Sequence, residues 1–117
     1  MNQQPQTDVS YRESVGVVSL RGEVDLVQAQ DLRHRLVSAI RNEDTGLVVD
    51  LSDATYIDSV GVSLLFELAE RLGERQLRLA VVVPEGGLVT RVLRIVNLKS
   101  VAAVCPTVDE AVEAINA

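Results

Sequence analysis

Three residues in this chain have types and spacing that could act chemically together: Asp25, Asp58 and Ser59. Asp25 closes the stretch Gly22-Glu23-Val24-Asp25, and the other two lie in Tyr56-Ile57-Asp58-Ser59-Val60-Gly61. Each stretch falls where a strand pattern gives way to a helix pattern. A serine hydroxyl at a helix start sits beside backbone N–H groups with no internal acceptor, a place that favours anions. A phosphate there would add about −1.5 to −2 charges beside Asp58 and Asp25. Gly61 leaves the first turn without a bulky side chain, which gives a modifying enzyme's backbone room to approach. Taken singly these residues also have an ordinary reading, because Ser and Asp are favoured helix caps.

Other reactive residues do not assemble into a site. His34 falls mid-helix between Arg33 and Arg35 and reads as a solvated face residue, with no nucleophile beside it. Gly86-Gly87 lacks the spacing of a phosphate-binding loop. Cys105, the single cysteine, cannot form an internal disulfide and has no metal-ligand spacing around it. It reads as a small apolar residue at a strand end, in a reducing compartment. No catalytic residue, metal ligand or cofactor is expected.

The elements that position these residues follow from periodicity. Val9–Glu13 reads as an edge strand, Arg12–Ser14 as a turn, and Val15–Leu20 as a strand broken at Gly22. Leu26, Ala29, Leu32, Leu36 and Ile40 recur at helical spacing, which predicts a helix over Asp25–Arg41 with Asp25 as its cap. Asn42–Gly46 is a loop, Leu47–Leu51 a central strand and Ser52–Asp58 a connector. A second helix is predicted from Ser59 to Leu72, stopped by Gly73. Leu77–Val83 is a strand ended by Pro84. Gly86 and Gly87 lead into a third helix that closes near Asn97. Val101–Val104 is a last strand, and Thr107–Ala117 a helix opened by a Thr107/Glu110 capping box. Leu32, Leu36, Val49, Leu64, Leu68 and Val81 are the expected core.

The order implies one α/β domain with a mixed, mainly parallel sheet, an N-terminal antiparallel edge strand and four helices. Residues 1–8, rich in Gln, are expected to form a flexible tail and residues 9–117 the domain. Parallel connections would bring Asp25 and Asp58/Ser59 to one end of the sheet, where sites on such folds lie. The chain has 117 residues, 47% apolar and 3% aromatic, so its core must be aliphatic. The net charge of −6 and the lack of a basic run argue against direct nucleic-acid or anionic-membrane binding. No secretory leader or membrane-span pattern occurs, which points to the cytoplasm.

Gly-Glu-Val-Asp at 22–25, the amphipathic helix after it, Leu-Val-Val-Asp-Leu at 47–51 and Tyr-Ile-Asp-Ser-Val-Gly at 56–61 follow in an order and spacing that resembles the STAS family, specifically its stand-alone bacterial anti-sigma factor antagonists. The resemblance runs from about Ser10 to Ile115. It implies a regulatory binding protein, not an enzyme. Such a protein binds an anti-sigma factor of the serine-kinase type, frees a sigma factor and so regulates transcription. It is released when the serine of Asp-Ser-X-Gly, here Ser59, is phosphorylated, and a PP2C-type phosphatase resets it. Glu23, Asp25, Asp58, Ser59, Val60 and Gly61 would form the partner surface. The residue after that serine is commonly Ser or Thr in the best-known antagonists and here is Val60, so a phosphate in the motif maps to Ser59. An unswitched STAS scaffold and a weak nucleotide-binding module are the competing readings.

Overall fold

A computed structural model describes residues 6–25, 27 and 29–117. Its six strands are β1 (Gln6–Arg12), β2 (Val15–Val24), β3 (Gly46–Asp50), β4 (Ala54–Ile57), β5 (Arg78–Val82) and β6 (Ala103–Cys105). Its helices are α1 (Ala29–Ser38), α2 (Ser59–Glu74), α3 (Leu88–Ile95) and α4 (Val108–Asn116), with a 3-10 turn at Leu98–Ser100. The sheet runs β1-β2-β3-β5-β6, with β4 set against the far end of β2. β1 and β2 are antiparallel, and the other pairings are parallel. This is the mixed α/β architecture expected.

Two aliphatic layers flank the sheet. On one face Val18, Leu20, Val49 and Val81 meet Leu32 and Leu36 of α1, Leu64, Leu65, Leu68 and Leu72 of α2, and Leu93 of α3. On the other, Val15, Val17, Val48, Ala80 and Val82 pack under Ala111 and Ile115 of α4. Central strands covered on both faces explain the unbroken apolar runs at 47–49 and 79–83. All six expected core residues are buried.

Several boundaries differ from expectation. β1 begins at Gln6, so Thr7 and Asp8, expected in a tail, pair with Leu20 and Ser19. The first five tail residues lie outside the described residues. β2 does not stop at Gly22 but continues to Val24. The register shifts between Gly22 and Glu23, and Gly22 takes φ +91°, a bulge conformation that glycine adopts without a side-chain penalty. The partner of this extension is β4, which lies in the segment read as a connector.

Because β2 stays extended to Val24, α1 opens at Ala29, four residues after Asp25, and ends at Ser38. Residues 26 and 28, through which Asp25 is expected to cap α1, lie outside the described residues. Leu26, expected on its buried face, lies outside the described residues. α2 runs through Gly73 to Glu74. The left-handed residue that ends it is Gln76, and the Leu77 N–H returns to the Leu72 carbonyl at 2.8 Å, a Schellman-type closure. β6 starts at Ala103, while Val101 is exposed. The Thr107 hydroxyl accepts from the Glu110 N–H at 3.1 Å and caps α4 as expected.

Candidate functional site

The pairing of β4 with the end of β2 builds the site. Tyr56 stands beside Glu23 and Ile57 beside Val24. The Asp58 N–H donates to the Val24 carbonyl at 3.2 Å, which ties the start of α2 to the turn that carries Asp25. Asp25 and Asp58/Ser59 thus lie at one end of the sheet, as expected, beyond the carboxyl ends of β2 and β4.

Within this start the two polar residues have different tasks. Asp58 is the cap: its backbone is extended and its Oδ1 accepts from the Gly61 N–H at 2.9 Å. Its carbonyl accepts the first helical bond from Val62 at 2.9 Å. Ser59 is the first helical residue and is exposed. Its side chain therefore does not serve as the cap, the ordinary use that its type suggests. The N–H groups of Ser59 and Val60 open the helix where no earlier turn supplies acceptors. Val60 is half-buried and Glu23 exposed.

Gly61 is buried and serves a purpose other than access for an enzyme. A Cβ there would lie 2.4 Å from the Val24 carbonyl oxygen and 2.8 Å from Ile57 Cγ1. Glycine is required because α2 is pressed against the end of β2, so Gly61 shapes the surface from beneath.

β4, the loop before α1 and α3 also expose apolar side chains. Tyr56 is 42% exposed and Val27, in the loop before α1, is 80% exposed. α3 packs beside β4 and presents Leu88 and Ile95 to solvent. Exposed apolar groups on adjoining elements are a feature of interaction surfaces. Neither Tyr56 nor Val27 is marked as a surface residue by spacing. An aromatic inside a supposed polar connector was the available signal for Tyr56.

The remaining candidates lie elsewhere. His34 is exposed on α1. Cys105 is half-buried at the end of β6 and lines a cavity of about 500 Å³ with Val83, Pro84, Thr90, Leu93 and Arg94. Burial and the Glu110 carboxylate push its thiol pKa up against the opposing charge of Lys99, which makes it a poor nucleophile. Among the described residues no helix is long and apolar enough to cross a membrane.

Residues 6–111 match the model of the STAS domain family. The anti-sigma-F factor antagonist RsfB of Mycobacterium tuberculosis is 33% identical over 66 residues, which is 56% of this chain and 54% of that protein. The chain thus aligns with about half the length of that relative. The crystal structure of an anti-sigma factor antagonist from Mycobacterium paratuberculosis superposes with a TM-score of 0.86 at 30% identity, over 97% of this chain and 95% of that one. The phosphorylated form of the Bacillus cell fate determinant SpoIIAA shares the fold, with a TM-score of 0.67 at 19% identity over 94% of this chain and 99% of that one. With its six-stranded mixed sheet, its Asp58-capped helix start and a family match over nearly its whole length, this chain belongs to the STAS domain family.

Proposed function

We propose that this protein is an anti-sigma factor antagonist that binds an anti-sigma factor of the serine-kinase type through the surface around Ser59. Phosphorylation of Ser59 by that partner ends the binding, and a PP2C-type phosphatase restores it. The protein is a cytoplasmic regulator of sigma-factor-dependent transcription and performs no catalysis itself. The observation that carries this reading is the exposed Ser59 hydroxyl at the first position of α2, with capping done by Asp58. It is supported by the antagonist relatives, 33% and 30% identical. The neutral hydroxyl and the exposed apolar side chains of Val27, Tyr56 and Leu88 can be covered by a partner with little desolvation of charge. A phosphate at the same point would be strongly hydrated and would add negative charge next to Asp58.

The test is capture of partners from native extract by wild type, Ser59→Ala and Ser59→Glu proteins. Wild type and Ser59→Ala should retain a kinase-type anti-sigma factor, Ser59→Ala should keep it in the presence of ATP-Mg, and Ser59→Glu should lose it. Equal capture by all three would leave an unswitched scaffold.

A further inference from the structure

The free edge of the sheet at β1 has a different character. β1 is an edge strand of seven residues, and among the described residues no strand pairs with its outer side. Long edges are usually guarded by proline, a bulge, or charges that repel a copy of themselves. β1 contains no proline, and its pairing with β2 is regular from Gln6 to Arg12. It does carry charges, but Asp8 and Arg12 are opposite in sign and stand two residues either side of Ser10. An edge with this arrangement is complementary to itself.

We propose that the protein forms a two-fold symmetric dimer by antiparallel pairing of β1 with β1 of a second copy, with Ser10 on the axis. This register places Asp8 opposite the second copy's Arg12 and Val9 opposite its Tyr11. The faces agree with that pairing. Asp8, Ser10 and Arg12 lie on the α4 side, where Arg12 reaches Asp109 of α4 at 2.6 Å. Val9 and Tyr11 lie on the other side, where the Tyr11 hydroxyl donates to the Ala39 carbonyl.

Each ion already has one partner within the chain, Asp8 with Arg21 at 2.6 Å and Arg12 with Asp109. The dimer gives each a second. The result is a row of alternating sign, Arg21, Asp8, the second copy's Arg12 and its Asp109, repeated by the symmetry. On the opposite face, Val9 and Tyr11, 47% and 41% exposed, form two cross-strand aromatic–aliphatic pairs. Pairing centred on Val9 instead would set Asp8 opposite Ser10 and make no opposite-charge pair. The antiparallel arrangement points the two Ser59 surfaces to opposite ends of one continuous sheet, so both stay open. A contact this small implies weak, salt-sensitive association.

Sedimentation velocity of the full chain over rising concentration tests this proposal. Wild type should pass from monomer to dimer, less so at high salt. Asp8→Arg and Arg12→Asp alone should each weaken association by about tenfold or more, because both cross-strand pairs become like-charged. An equimolar mixture of the two should restore it, because the hetero-pair has opposite charges at both positions. If either variant unfolds by circular dichroism, Ser10→Lys and Ser10→Glu repeat the test at the axis, each repelling itself and attracting the other. Wild type that stays monomeric throughout, variants that dimerise as wild type does, or a mixture that stays as monomeric as its components would overturn the proposal.

Discussion

Asp58 and Ser59 divide the demands on one helix start between two neighbouring side chains. Asp58 holds the Gly61 N–H, so Asp58→Ala should cost about 0.5–2 kcal/mol of stability. Ser59→Ala should stay within about 0.5 kcal/mol, as surface changes away from a cap do. Thermal unfolding of the two variants side by side checks this, and a larger loss at Ser59 would mean that its hydroxyl is structural. Gly61→Ala is expected to be the severe change, by about 1–3 kcal/mol, because the new methyl meets the Val24 backbone and not a flexible side-chain end. A chemical-denaturation midpoint unmoved by it would contradict the packing. Asp44 gives the pH dependence. It is 6% exposed, and burial raises its pKa, but hydrogen bonds from the Arg41 side chain and backbone N–H together with the Arg41 charge lower it further, for a net depression. A depressed folded pKa means stability present above the unfolded value, about 3.9, and lost as pH falls through the folded one. The melting-temperature gap between wild type and Asp44→Asn should therefore be wide at neutral pH and close below about pH 4. A gap independent of pH would contradict the ion pair. The serine and its neighbouring aspartates were legible from residue type and spacing. The reason for Gly61 was not, because it depends on a carbonyl that only the fold brings near.

At the scale of elements, the largest departure from the sequence reading is the four-residue β4. Ala54-Thr55-Tyr56-Ile57 is short and half-exposed, so no alternation marks it against the turn residues before it. It forms because β2 continues past its bulge and offers a partner, a tertiary cause that periodicity does not record. The same extension sets the described start of α1 at Ala29, later than expected. The helices with strong apolar spacing were legible, since their buried leucines recur over several turns. Leu68 belongs to this group. It is 3% exposed within α2, and Leu68→Ala should cost about 2–5 kcal/mol in equilibrium unfolding. A loss under about 0.5 kcal/mol would mean that α2 does not pack as described.

For the molecule as a whole, the proposed switch requires that one end change its binding while the fold stays as it is. Ser59 is suited to this. It lies outside the two aliphatic layers, on a helix start that tolerates negative charge, so a phosphate need not disturb the core. What a phosphate there would change is the free energy of being covered. Burying a charge without a compensating cation costs about 3–5 kcal/mol, and each 1.4 kcal/mol is about tenfold in affinity. The most direct measurement is the affinity for the cognate kinase-type anti-sigma factor before and after stoichiometric phosphorylation, with the phosphate mapped by mass spectrometry. The phosphate should map to Ser59, the melting temperature should stay near that of the unmodified protein, and binding should fall by roughly 100-fold or more. Full phosphorylation of Ser59 with unchanged affinity would contradict the switch.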